Sequence, residues 1–171
     1  MNKLVWRNIG RFALLMAIQL LVLNYVYLGG YVMPMLYVLF ILMLPTGTGR
    51  IPMLLVSFGT GLLVDIMSGT LGFNALACTV VAMLRIWFAD RILTRGEPVS
   101  IDRPGIYSVT PQYFIAYLLI LLAAFFLVLY TTELFGFRGF GEVLLSTFCS
   151  TLVTAVLAVV YQLIFIKKEE T

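Results

Sequence analysis

The sequence predicts an all-α integral membrane protein of six transmembrane helices, with both termini on the cytoplasmic side. Three observations predict it. Of the 171 residues, 62% are hydrophobic and only 11% charged, against about 25% charged in an ordinary soluble domain. The mean hydropathy is +1.06, more apolar matter than a soluble core of this size can hide, whereas lipid is a solvent for it. The basic residues also sort to one side when six apolar segments are drawn as alternating crossings. Residues 1–171 read as one domain.

The first segment, 12–28, follows Lys3, Arg7 and Arg11. Its apolar part is too long for a signal peptide and no small-x-small cleavage site follows, so a retained span is expected. Its Gln19 and Asn24 are expected to bond across the bundle. The second, 31–44, lies between Gly29-Gly30 and Pro45. It is short beside the roughly 20 residues of a helical crossing, so it is expected to tilt little, thin the bilayer locally or borrow from the glycine pair. Pro34 suits a first helical turn.

The third segment, 52–67, starts on a proline, and the fourth covers 71–89. The connector 68–70 is so tight that these two must form an antiparallel hairpin. The fifth and sixth cover 113–131 and 143–166. With the N-terminus in the cytoplasm, Lys3, Arg7, Arg11, Arg50, Arg85, Arg91, Arg95, Arg103, Lys167 and Lys168 all fall inside or at inner ends, leaving only Arg138 outside. Tyr25, Tyr27, Tyr31 and Tyr37 suit the outer interface. Arg85, beside Trp87, is expected to snorkel to the inner one. The stretch 90–110 carries Arg91, Arg95, Glu97, Asp102 and Arg103 among prolines that deny it a continuing helix. It reads as a cytoplasmic loop, either touching anionic lipid or docking a partner.

The chain has no histidine, which removes the commonest general base and metal ligand. Cys78 and Cys149 lie in apolar segments without metal or redox spacing and read as packing residues. No phosphate loop, metalloprotease helix or nucleophile elbow occurs. Glu133 and Glu142 read as loop charges, so a paired-carboxylate site lacks its second acid. No inverted repeat or broken helix pair is visible. No cofactor and no enzymatic activity are expected. The net charge of +3 follows from the basic segment ends and is no sign of nucleic acid.

Asp65 is the only acid inside a long apolar run. At a helix centre in lipid it costs roughly 2.5–3.5 kcal/mol, so a function is the default reading. Ser57, Gly61, Asp65 and Gly69 are spaced by four and share one face. Small residues at that spacing let helices approach closely, so the face is expected to look into the bundle or at a partner helix. Ser68, Thr70 and Asn74 stand within reach of the carboxylate. Asp65 either caps the start of the fourth helix or meets a partner, and the two are compatible. On the sixth segment, Ser146, Ser150, Thr154 and Ala158 form a second small stripe, with Thr147, Thr151 and Ala155 beside it, and read as a packing face.

Gly61, Asp65, Gly69, Gly72, Asn74 and Ala75, with Leu71 and Phe73 between them, resemble the hairpin signature of the MreD family of rod-shape-determining proteins. That resemblance covers about fifteen residues as a motif and most of the chain as architecture. It implies a subunit of the bacterial cell-elongation complex in the inner membrane, which supports cell shape and peptidoglycan synthesis without catalysis. The implied partner is the membrane helix of an MreC-like single-span protein. MreB, RodA and a penicillin-binding transpeptidase would be reached through the complex. The implied interface or groove comprises Ser57, Gly61, Asp65, Ser68, Gly69, Gly72 and Asn74. The family is also similar in fold to the substrate-capture subunits of energy-coupling-factor vitamin transporters, whose first helix meets the coupling subunit through an alanine pair that Ala13 and Ala17 would match.

Overall fold

In the computed structural model the described residues are 2–21, 32–45, 49–92, 111–133 and 139–165. They form six helices and, among the described residues, no strand. The helices are α1 (Asn2–Leu21), α2 (Val38–Leu42), α3 (Arg50–Ser68), α4 (Phe73–Ile92), α5 (Pro111–Glu133) and α6 (Phe140–Phe165). By length and composition α3, α5 and α6 can each cross a membrane. Their 19, 23 and 26 residues give about 28, 35 and 39 Å of helix, against about 30 Å of hydrocarbon. The apolar parts of α1 and α4, Gly10–Leu21 and Phe73–Phe88, are shorter.

Local chemistry accounts for several ends. Pro52 sits in the first turn of α3, and Pro111 opens α5, where a missing N–H costs nothing. Glu142 in the first turn of α6 complements the positive end of its dipole. α1 begins ten residues earlier than the apolar run, and Lys3, Arg7 and Arg11 step along it by four. α4 runs on to Ile92, into the expected loop 90–110. The rest of that loop lies outside the described residues, as do Asn24, Tyr25, Tyr27, Tyr31 and Arg138.

α3 packs on α4, α4 on α5 and α5 on α6, while α2 lies between α4 and α1. Within the core, Tyr37, Val38 and Ile41 of the second segment are fully buried among Phe125 and Phe126 of α5 and Ala77, Cys78 and Ala82 of α4. The Tyr37 ring meets Phe125 edge-on at 6.0 Å, a favoured aromatic geometry. α6 has two opposite faces. Ser146, Ser150, Thr154 and Ala158 point inward, and Leu144, Phe148, Leu152, Val156 and Val160 point outward. Polar within and apolar without is the reverse of a soluble helix and suits contact with lipid.

The second segment departs from expectation. Only Val38–Leu42, five residues, is helical, and 32–37 is not. Pro34 therefore lies in extended chain rather than in a first helical turn. Extended backbone advances about 3.3 Å per residue against 1.5 Å in a helix. The described part of this segment, 32–45, combines non-helical chain with one short helix.

Extended backbone inside a bundle must find partners for every N–H and C=O. The Met33 and Met35 amides donate to Ser150 Oγ and Thr154 Oγ1, both at 3.3 Å. Two extended residues advance about 6.6 Å and four helical residues about 6 Å, so alternate amides meet hydroxyls four apart. On the other side, Gln19 Nε2 donates to the Pro34 carbonyl (3.2 Å) and Oε1 accepts from the Leu36 amide (2.8 Å). One side-chain amide thus pairs as a neighbouring strand would.

Candidate functional site

The third and fourth segments form the expected hairpin, and Asp65 joins its two arms. α3 ends where Gly69 takes the left-handed conformation, φ 68°, which glycine adopts without steric cost. The Gly69 and Thr70 amides both donate to the Asp65 carbonyl oxygen. The Asp65 side chain then starts α4. Its Oδ2 accepts from the Ala75 amide at 2.8 Å, and its Oδ1 from the Asn74 amide at 3.1 Å and Asn74 Nδ2 at 2.9 Å. Thr70 Oγ1 donates to Oδ1 as well.

Asn74 and Ala75 are the second and third residues of α4, whose N–H groups an N-cap side chain normally satisfies. Gly72, at the cap position with φ 91°, has no side chain to offer. The carboxylate of the preceding helix supplies the cap, and its charge faces the positive end of the α4 dipole. Of the two compatible readings of Asp65, the cap is the geometry observed.

Such contacts need the arms to touch, and Gly61 lets them. A Cβ there would lie 2.5 Å from both Ala75 Cα and the Asn74 carbonyl oxygen, closer than side chains tolerate. Ser57 is fully buried on the same face, bonding the Met53 carbonyl within α3. Asn74 is buried too, and its Oδ1 accepts from the Tyr37 hydroxyl at 2.7 Å, tying the hairpin to the second segment.

The seven residues singled out therefore divide. Ser57, Gly61, Asp65 and Asn74 are covered by this chain itself, with α4 occupying the glycine face. Ser68 and Gly69 are exposed at the tip, and Gly72 is half-buried. The outward side of α3 is instead a continuous apolar surface that includes Leu55, Phe58, Leu62 and Ile66.

Arg85, expected to snorkel, is covered by the protein itself, 3% exposed. Its Nε donates to the Tyr117 hydroxyl at 3.0 Å, Nη1 lies 3.4 Å from Met53 Sδ, and Nη2 donates to the Leu44 carbonyl. Tyr117 in turn donates to the Leu42 carbonyl at 3.4 Å. The guanidinium thus covers the carbonyl-rich exit of α2, as cations do at helix C-termini. Gln19, Tyr37 and Tyr117 also carry the interior network. Only Gln19 had a signal in sequence, as an amide inside an apolar run.

No group of three or more metal-binding side chains occurs among the described residues. Cys78 is buried and Cys149 half-buried, both as free thiols. Fold and site together define a helical protein with three helices long and apolar enough to cross a membrane, organised around a polar-pinned hairpin and one non-helical inner segment. The chain matches no protein-family model, no curated protein and no solved structure.

Proposed function

We propose that this chain is a non-enzymatic, multi-pass subunit of a bacterial cell-elongation complex, of the MreD kind, in the cytoplasmic membrane. The supporting observation is that Gly61, Asp65, Gly69, Gly72, Asn74 and Ala75, on which the resemblance rests, act as one structural unit. Each has a separate task in closing or capping the α3–α4 hairpin. Six crossings with cytoplasmic termini are part of the proposal. In its favour, Arg11 and Arg85 converge at Leu44, at the end of the bundle away from the hairpin tip.

The partner is the membrane helix of an MreC-like single-span protein, through which MreB, RodA and a transpeptidase are reached. Because α4 fills the glycine face, the partner meets the outward face of α3 and the tip residues Ser68 and Gly69. The test is co-purification from membranes, together with depletion. The single-span protein is expected to copurify, and depletion to round rod-shaped cells. Phe58→Ala with Leu62→Ala is expected to weaken association about tenfold while leaving insertion intact. Normal shape and wall synthesis after depletion would sink the proposal.

A vitamin-capture subunit is the second reading, favoured by the exposure of Ala13 and Ala17 on α1. Against it, Tyr37, Phe125 and Phe126 fill the middle of the bundle. A small molecule retained through purification would decide for it.

A further inference from the structure

α3 carries its own ruler. Its first residue, Arg50, is exposed, and a guanidinium is held at the edge of hydrocarbon rather than within it. The 19 residues from Arg50 to Ser68 advance about 28 Å, against about 30 Å of hydrocarbon. Tilt, about 20° for an average membrane helix, only shortens that reach. A crossing α3 thus leaves the hairpin tip level with the outer edge of the hydrocarbon at most. The side chains at the tip agree. Leu71, in the turn between α3 and α4, is 89% exposed, the highest value among the exposed large hydrophobic side chains described, and Ile66 and Met67 stand out beside it. The turn that presents them is braced. Thr70 bonds both the carbonyl and the carboxylate of Asp65, and the Leu76 amide donates to the Gly72 carbonyl.

We propose that the α3–α4 turn lies within the outer leaflet, its backbone at the headgroup boundary and Leu71, Met67 and Ile66 packed by lipid acyl chains. That is the depth at which interfacial apolar side chains settle. Asp65, about 22 Å along α3 from Arg50, then lies below the membrane surface. Its donors come from this chain: the Asn74 and Ala75 amides, Asn74 Nδ2 and Thr70 Oγ1. A solute in water does not reach the carboxylate, and a partner reaches the tip only from within the membrane. The proposal rests on α3 crossing the membrane and not on any role in cell elongation.

Leu71→Cys and Leu62→Cys, each in a Cys149→Ser chain and tagged with a nitroxide, test it in reconstituted vesicles. Cys78 is buried, which leaves the tag to the introduced thiol. Leu71 is so exposed that its replacement removes little contact within the protein. In dioleoylphosphatidylcholine both tags are expected to collide with dissolved oxygen in preference to a water-soluble nickel chelate. The preference is expected to be stronger at Leu62, nearer the middle of α3. In dilauroylphosphatidylcholine, a thinner bilayer, the Leu71 tag is expected to emerge and its collisions with nickel to rise, while Leu62 keeps its preference for oxygen.

The proposal is overturned if, in the thicker bilayer, the Leu71 tag prefers nickel while Leu62 prefers oxygen. It is overturned equally if the Leu71 tag is shielded to the same degree in both bilayers, because protein, a second copy or another chain, would then cover the tip in place of lipid. A preference for nickel at Leu62 as well would show that α3 does not cross, and the crossing itself would fall with the proposal.

Discussion

Asp65, capping the start of α4, and Arg85, in the second half of α4, meet the same difficulty in opposite senses. Each is a formal charge withdrawn from water, 2% and 3% exposed, and among the described residues neither bonds an opposite charge. Backbone dipoles serve instead: amides for the carboxylate, a carbonyl for the guanidinium. The difference lies in distance along the chain. The side-chain partners of Asp65 are five, nine and ten residues away, at Thr70, Asn74 and Ala75. Those of Arg85 are 32 and 41 residues away, at Tyr117, Met53 and Leu44. A charge answered locally can be read from sequence. One answered by a distant element cannot: nothing in the sequence ties Arg85 to Leu44, Met53 or Tyr117.

Substitutions at the two sites test this contrast. The largest loss is expected from Asp65→Ala. It leaves two amides, a carboxamide and a hydroxyl without their acceptor, costing about 3–5 kcal/mol in reversible unfolding from mixed micelles. Arg85→Gln is expected to cost about 2–3 kcal/mol. The double variant should equal the sum within about 0.5 kcal/mol, since separated sites act independently, and a larger coupling would show that α4 transmits between them. Gly61→Ala is expected to destabilise by about 2 kcal/mol, although alanine favours a helix by about 1 kcal/mol. A gain in stability would show that the helices separate freely. Gly69→Ala should cost about 1 kcal/mol through its left-handed backbone. The smallest effect, about 0.6 kcal/mol, is expected for Thr154→Val, which removes one hydroxyl from the extended segment.

The hairpin was legible because its turn is too short to permit another arrangement, and because Gly61 and Asp65 share a helical face. What covers that face was not legible. A period of four identifies a close-packing side without saying whether α4 or another protein occupies it. The stripe on α6 had the same ambiguity: Ser150 and Thr154 were read as helix packing, yet they bond an extended chain. Hydropathy cannot separate extended from helical backbone in a short apolar run. The clues to the second segment were scattered among its shortness, Pro34 and the lone Gln19, and only the fold joins them.

The extended stretch also bears on the order in which the chain can mature. A membrane helix satisfies its own backbone as soon as it enters lipid. Residues 33–36 cannot, since they borrow from Gln19, made before them, and from Ser150 and Thr154, made more than a hundred residues later. Until α6 is made, the Met33 and Met35 amides lack the hydroxyls that accept from them. Truncation before α6 therefore removes more than a helix: it leaves the second segment without the hydroxyls that complete it.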